Sequence, residues 1–211
     1  MSSSNTSFMH RPVDMLFAIF FSLHLFPAFV FAPQVALSPE LRDLWIPQTV
    51  KDLLVNAVGS SHDPLLGMAL GGRQMWMASI FTVETVLQGP FFIYAIIALS
   101  MNWTASFRIP AIIYSVHVLT TMIPISAELL WGCQDAFMPG HPSYPGFETT
   151  PEAQWDMRMH WMAYYAPFVI MPAILLVRNV FFFNSHGSAG GAPFAYAPGS
   201  IAKVGRSTKS E

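Results

Sequence analysis

Four long apolar stretches dominate the pattern along the chain: about Met15–Ala32, Gln74–Ser100, Ile109–Trp131 and Trp161–Phe183. Each is near or above the roughly 17–25 residues that a membrane-spanning helix needs. The pattern predicts an all-α fold, a bundle of four transmembrane helices. The first stretch could also be a secretory signal, because Arg11 precedes it. Its length, beyond the usual apolar core of about 7–15 residues, and its His24 and Pro27 favour a packed span.

The connection between the first two spans contains a shorter amphipathic segment. After Pro47, apolar residues return at helical spacing, at Val50, Leu53, Leu54, Ala57 and Val58. Gly59 is a stop signal, so a short helix is expected to end there, lying on the bundle or on the membrane surface.

Three regions complete the predicted organisation. Residues 1–10 form an N-terminal tail, residues 11–183 form the four-helix domain, and residues 184–211 form a tail rich in Gly, Ala, Ser and Pro, a composition typical of disorder. Within the domain, Gln134–Thr150 is rich in Pro, Gly and aromatic residues and predicts an irregular loop.

The basic residues predict the orientation in the membrane. Those near the termini and in the second connection are Arg11, Arg108, Arg178, Lys203, Arg206 and Lys209, whereas acidic residues are concentrated in the two long connections. The positive-inside rule then favours cytosolic termini and lumenal long connections, which makes the amphipathic helix lumenal. The sequon Asn102-Trp-Thr104 would face the cytosol and stay unglycosylated.

Composition excludes several classes of function. The chain is 53% hydrophobic and 10% charged, against about 25% charged in soluble domains. A net charge of −2 without a basic run argues against a nucleic-acid partner. Cys133 is the single cysteine, and the seven histidines are scattered, so neither a disulfide nor a metal site is expected. The chain has no Gly-rich phosphate loop and no serine nucleophile elbow, and we expect no cofactor.

Polar side chains within the predicted spans are the candidate chemistry. Glu84 and Gln88 are one turn apart in the second span, and the third span carries Tyr114, His117 and Thr121. Because hydrocarbon offers no water, such groups must face a partner or a cavity. The simpler interpretation is a network of hydrogen bonds that holds the helices together.

The surrounding residues favour a cavity. Pro167 and Pro172 predict a broken fourth helix beside it, after Tyr164 and Tyr165. An adaptable apolar lining would come from four methionines: Met75, Met77, Met122 and Met171.

One segment of the third span closely resembles a known family. Arg108-Ile-Pro-Ala-Ile-Ile-Tyr-Ser-Val-His117, followed by Thr120-Thr-Met-Ile-Pro124, resembles the third helix of the sigma-2 receptor family. That family is a four-helix branch of the EXPERA domain, which also includes sterol isomerases. Further matches follow in family order over about residues 11–183: His24 with Pro27, Asp63-Pro-Leu-Leu66, Glu84 with Gln88 and Pro90-Phe-Phe92, and Tyr165-Ala-Pro167.

The resemblance implies a protein of the endoplasmic reticulum membrane with a pocket that opens toward the bilayer and binds sterols and cationic amphiphiles. It places Asp63, Glu84 and Gln88 in the ligand site. It also suggests a homodimer and contact with a sterol-transport membrane protein. The chain departs from the family where Pro33, or with a one-residue slip Gln34, replaces an aspartate that pairs with ligand amines. This change is expected to affect amine binding more than sterol binding, which needs a matching shape and one partner for the hydroxyl group.

Three functions are open from the sequence. The first is a sterol- or lipid-binding, receptor-like protein in sterol homeostasis, with an apolar cavity sealed by helices 2 to 4. Its ligand contacts would be Asp63, Glu84, Gln88, Tyr114, His117, Thr121 and Tyr165. The alternative is a sterol isomerase or terpenoid cyclase with Glu84 and His117 as acid and base, although Gln88 cannot exchange a proton at neutral pH. A scaffold for another membrane protein is the third interpretation.

Overall fold

The computed structural model describes residues 7–71, 74–132 and 150–182, and every regular element in these ranges is helical. The predicted all-α class is confirmed. After a 3-10 turn, Phe8–His10, the helices are α1 Pro12–Ala36, α2 Pro39–Trp45, α3 Gln48–Ser61, α4 Pro64–Gly71, α5 Met75–Ser100, α6 Thr104–Trp131 and α7 Pro151–Phe181. The predicted loop Gln134–Thr150, apart from Thr150, and the tail 184–211 lie outside the described residues.

Helices α1, α5, α6 and α7 are long and apolar enough to cross a membrane, as expected of a multi-pass membrane protein. The fourth begins at Pro151 rather than at Trp161. The Thr150 hydroxyl accepts a hydrogen bond from the Ala153 amide at 3.3 Å, and the following proline suits a first helical position. The helix therefore starts in a polar segment before the apolar one. The helix is interrupted at Ala166, between the segments Pro151–Tyr165 and Pro167–Phe181, as Pro167 predicts.

The four long helices pack as two pairs, α1 with α5 and α6 with α7, which meet along α5 and α6. Aromatic rings fill the centre. Phe21 of α1 lies 5.7 Å from the ring of Phe92, and Phe91 stacks on Tyr114 of α6 at 4.5 Å. Buried alanines let the helices approach closely, as helix packing in lipid requires: Ala28, Ala32, Ala95, Ala98 and Ala111. The first apolar stretch is thus an integral helix of the bundle.

The amphipathic segment between the first two spans forms α3, which turns Leu54 and Val58 into the protein. The predicted end at Gly59 is wrong. The helix continues to Ser61, and His62 terminates it in the left-handed conformation, with φ of 57°. Two further helices, α2 and α4, flank α3 and were not predicted from the sequence.

A charged cluster joins three helices at the end of the bundle where the first span begins. Asp14 of α1 is 5% exposed, and its carboxylate accepts from Arg11 at 2.9 Å and from Arg178 of α7 at 2.5 Å. Arg11 also donates to Asn102 Oδ1 and to the Ser100 carbonyl at the end of α5, each at 3.0 Å. We call Arg11, Asp14, Ser100, Asn102 and Arg178 the terminal clamp. Asn102 has a φ of 59°.

Candidate ligand cavity

A cavity of about 380 Å³ lies between the long helices, on the side of the bundle opposite the terminal clamp. Its polar lining comes from Asp63, Glu84, Tyr164 and Tyr165. Its apolar lining comes from Leu23, Phe26, Pro27, Phe31, Leu65, Leu66, Trp76, Met77, Ile80, Phe81, Met122, Ile125 and Phe168. The cavity therefore takes a wall from α1 and α4 as well as from α5 to α7. Of the four predicted methionines, Met77 and Met122 line it.

Two π-helical turns shape the helices beside this cavity. In α1 the turn is Pro27–Phe31, and in α5 it is Glu84–Gln88. The Gly89 amide donates to the Glu84 carbonyl, five residues earlier. Pro90 has no amide hydrogen, so an α-helical ladder cannot continue there undisturbed. The two turns contact each other, and π turns are frequent at functional sites.

Gly89 allows the two turns to approach closely. A Cβ atom added at Gly89 would lie 2.8 Å from Cζ of Phe29, a distance that real Cβ contacts do not reach. The absence of a side chain therefore lets the Phe29 ring lie directly on the backbone of α5.

Asp63 connects α4 to α7 at one side of the cavity. Its Oδ1 accepts from the amides of Leu65 at 2.9 Å and Leu66 at 3.2 Å, which caps the start of α4. Its Oδ2 accepts from the Tyr165 hydroxyl at 2.8 Å. Burial raises the pKa of the Asp63 carboxyl, and the hydrogen bonds from Tyr165 and the two amides oppose that rise. Asp63 thus both lines the cavity and caps a helix.

Replacing Tyr165 by phenylalanine is expected to lower the free energy of unfolding by about 1.5–3 kcal/mol, because a buried carboxylate loses a hydrogen-bond donor. Denaturant unfolding of the purified protein, followed by circular dichroism, measures this change. Tyr164→Phe is the matched control, since Tyr164 is 61% exposed and should change stability little. Equal effects of the two substitutions would contradict the assigned role of Tyr165.

Glu84, the first residue of the π turn in α5, lines the cavity. Among the described residues it has no hydrogen-bond partner. The lining described above includes no basic side chain that could pair with it. Glu84 is therefore the polar group at which a bound molecule could form a new hydrogen bond.

Comparison with known proteins identifies the family. Residues 41–179 match the family model of the EXPERA domain, the expanded EBP superfamily. The chain is 34% identical to the sigma intracellular receptor 2 of Macaca fascicularis and 33% identical to that of Homo sapiens, in each case over 79% of this chain and 86% of the relative. It is 28% identical to the Xenopus tropicalis protein over 81% of this chain and 90% of the relative. The chain belongs to the EXPERA family, in its sigma-2 receptor branch.

This EXPERA chain has no acid in the region where the resemblance places the ligand-pairing aspartate. Neither Pro33 nor Gln34 lines the cavity. Gln34 is 2% exposed, and its amide donates to the carbonyl oxygens of Val30 at 2.7 Å and Val50 at 3.1 Å. The Gln34 side chain therefore fastens the end of α1 to the start of α3.

The other predicted site residues of the EXPERA domain lie outside the cavity lining. Tyr114 is buried against the aromatic core. The Thr121 hydroxyl donates to the Val118 carbonyl of its own helix at 2.9 Å. His117 has a buried Nε2 atom without a hydrogen-bond partner among the described residues, and Gln88 ends the π turn. Asp63, Glu84 and Tyr165 are brought together around the cavity, and the binding roles of all seven residues stay predictions.

Sequence reasoning missed Asp14 and the contribution of α1 to the cavity. A signal for Asp14 was present, since it is the single acidic residue before Glu40 and follows Arg11 by three positions. For Leu23, Phe26 and Phe31 there was no such signal, because lipid-facing and cavity-facing apolar side chains have the same composition.

Proposed function

We propose that this protein binds a sterol, or another neutral amphiphile with a hydroxyl group, in the cavity between its long helices. The observation that carries the proposal is a largely apolar cavity of about 380 Å³ whose lining includes Glu84, an acid without a hydrogen bond from the described residues. Ligand sites are typically cavities of roughly 300–1,000 Å³ with apolar walls and a few orienting polar groups. The apolar rings of a sterol would contact the walls and its hydroxyl would bond Glu84.

The other polar groups favour a neutral ligand over a cationic one. Asp63 already accepts hydrogen bonds from two amides and from Tyr165. Pro33 and Gln34 supply no second carboxylate. A cation would have to leave water for a site where Glu84 is its principal partner, and the desolvation of a charge is costly. A hydroxyl needs only one hydrogen-bonding group and loses less hydration.

Exposed lining residues support entry from the bilayer. Leu23 and Phe26 of α1 are 71% and 53% exposed, and Tyr164 of α7 is 61% exposed, yet all three also line the cavity. Their exposure supports an opening between α1 and α7, the first and last spans. A sterol dissolved in the membrane could enter there without crossing water.

The proposed location is the endoplasmic reticulum membrane with both termini cytosolic, and the proposed role is sterol homeostasis. The described charges support this orientation. At the end of the bundle where the first span begins, the described basic residues are Arg11, Arg108 and Arg178, and the described acidic residue is Asp14. Taken together, α2, α3 and the start of α7 contain more acidic residues (Glu40, Asp43, Asp52, Glu152 and Asp156) than basic ones (Arg42, Lys51 and Arg158).

The test combines mass spectrometry of the co-purifying lipid with sterol binding to purified variants. Glu84→Leu is expected to weaken cholesterol binding about tenfold, because one hydrogen bond of about 1–1.5 kcal/mol is lost. Binding of cholestane, which lacks the hydroxyl, should not change. Glu152→Leu is the matched control, since Glu152 is exposed in the first turn of α7.

Three outcomes would contradict the proposal. An equal loss of cholesterol and cholestane would show that Glu84 acts on folding or cavity shape and not on the hydroxyl. A shifted double bond or a new ring in the recovered lipid, abolished by Glu84→Gln, would make this chain an isomerase or cyclase. A co-purifying membrane protein with no bound lipid would favour the scaffold function.

A further inference from the structure

Helix α2, Pro39–Trp45, exposes an apolar surface outside the four spans. Leu41, Leu44 and Trp45 occur at positions i, i+3 and i+4, so they share one side of the helix. They are 46%, 74% and 71% exposed. We call these three side chains the α2 patch. Large apolar side chains exposed together mark a surface that contacts another apolar medium.

The opposite side of α2 is polar and is held by the protein. Asp43 accepts a hydrogen bond from Lys51 of α3 at 2.9 Å. The Ser38 hydroxyl accepts from the Leu41 amide at 3.4 Å and caps the helix start, where Pro39 suits the first helical position. The polar side of α2 therefore faces α3, and its apolar side is directed away from α3.

The position of α2 along the chain places the patch at a membrane boundary. Helix α2 begins at Pro39, directly after the span α1 ends at Ala36. Trp131, the last residue of the span α6, is likewise exposed, at 72%. Tryptophan is enriched where spans leave the hydrocarbon, because its ring is apolar and its indole N–H can bond headgroups.

We propose that α2 lies in the interfacial region of the bilayer and inserts the α2 patch among the lipids of the adjacent leaflet. The patch consists of three side chains, whereas a stable protein interface takes about 20–30 residues on each partner. It is thus too small for a stable protein partner, and it follows the span α1 directly in the chain. An amphipathic helix with leucine and tryptophan on one side suits the boundary between headgroups and acyl chains.

Insertion of α2 would also position α3, which packs beside residues that line the cavity, relative to the membrane. Asp43 of α2 contacts Lys51 of α3, whose buried Leu54 and Val58 pack near Phe31 and Leu66. Phe31 and Leu66 line the cavity. Insertion of α2 does not require the proposed ligand, because it depends on the exposed surface of α2 and not on what the cavity contains.

Spin labelling tests the position of α2. In a Cys133→Ser background, one label is attached at Leu44→Cys and, as a matched control on the polar side, one at Asp43→Cys. The proteins are reconstituted in phosphatidylcholine nanodiscs, and collision rates with oxygen and with a water-soluble nickel chelate are measured. At residue 44 the ratio of oxygen to nickel accessibility is expected to exceed that at residue 43 several-fold. Leu41→Cys should behave as Leu44→Cys does.

Two results would overturn the inference. Nickel accessibility at residue 44 equal to that at residue 43 would place the patch in water. A strongly immobilised label at residues 41 and 44, shielded from both reagents, would place the patch against a protein surface such as a second copy of the chain.

Discussion

Replacing Asp14 by alanine is expected to lower the free energy of unfolding by about 3–5 kcal/mol, because the substitution leaves two guanidinium groups without their shared carboxylate. Asp14 is 5% exposed and binds Arg11 and Arg178, which belong to opposite ends of the sequence. Arg11 keeps its hydrogen bonds to Asn102 and to the Ser100 carbonyl, but the two partly buried cations lose their counter-charge, which costs more than the pair contributes. Denaturant unfolding in detergent, followed by far-UV circular dichroism, measures the loss.

Asp43→Ala is the matched control. It removes the same side chain from another ion pair, Asp43 with Lys51, in which the aspartate is 65% exposed. Because exposed pairs contribute little, the unfolding midpoint should not move. Asp14→Ala combined with Arg178→Met should recover part of the stability lost in the single variant. Equal stability of the Asp14 and Asp43 variants would show that the terminal clamp does not hold the bundle together.

Replacing Ile80 by tryptophan is expected to weaken sterol binding about ten- to hundredfold by placing an indole ring inside the cavity. Ile80 lines the cavity on α5. Overpacking a filled site costs about 1–3 kcal/mol, and each 1.4 kcal/mol corresponds to a tenfold change in affinity. The dissociation constant for cholesterol in nanodiscs is the quantity to measure.

Ile97→Trp provides the comparison for this substitution. Ile97 lies on the same helix, α5, but is 44% exposed on the outer surface. Its replacement adds the same ring to a lipid-facing position and should leave affinity unchanged. If Ile80→Trp binds cholesterol normally while both variants fold, the sterol does not occupy this cavity.

The sequence predicts the spans and α3 because their length and periodicity depend on local residues alone. It does not predict α2, whose seven residues are too short for periodicity to be distinctive. The end of α3 was placed at Gly59, yet His62 takes the left-handed conformation that terminates it. The last turn of a helix depends on the cap geometry in the folded chain, so a stop residue in the sequence locates a helix end only to within one or two residues.

The candidate site was less predictable, because it depends on contacts between distant segments. The bond between Asp63 and Tyr165 joins residues 102 positions apart. The spacing of Glu84 and Gln88 indicates one helix face, but that rule holds for an α-helix and these residues bound a π turn. Glu84 lines the cavity, whereas Gln88 does not. The ring of Tyr114 stacks on Phe91 outside the cavity lining, a contact that the sequence pattern does not predict, and its ligand role stays a prediction.

The π turn in α1 has a consequence for the evolution of this family. A π turn accommodates one more residue than an α turn, so the insertion or deletion of a single residue within Pro27–Phe31 could be absorbed without breaking the span. Such a change would rotate the following residues by about 100° around the helix axis. Pro33 and Gln34 follow this turn directly. One insertion or deletion in this turn would therefore exchange which of these two side chains faces the interior, where Gln34 now lies.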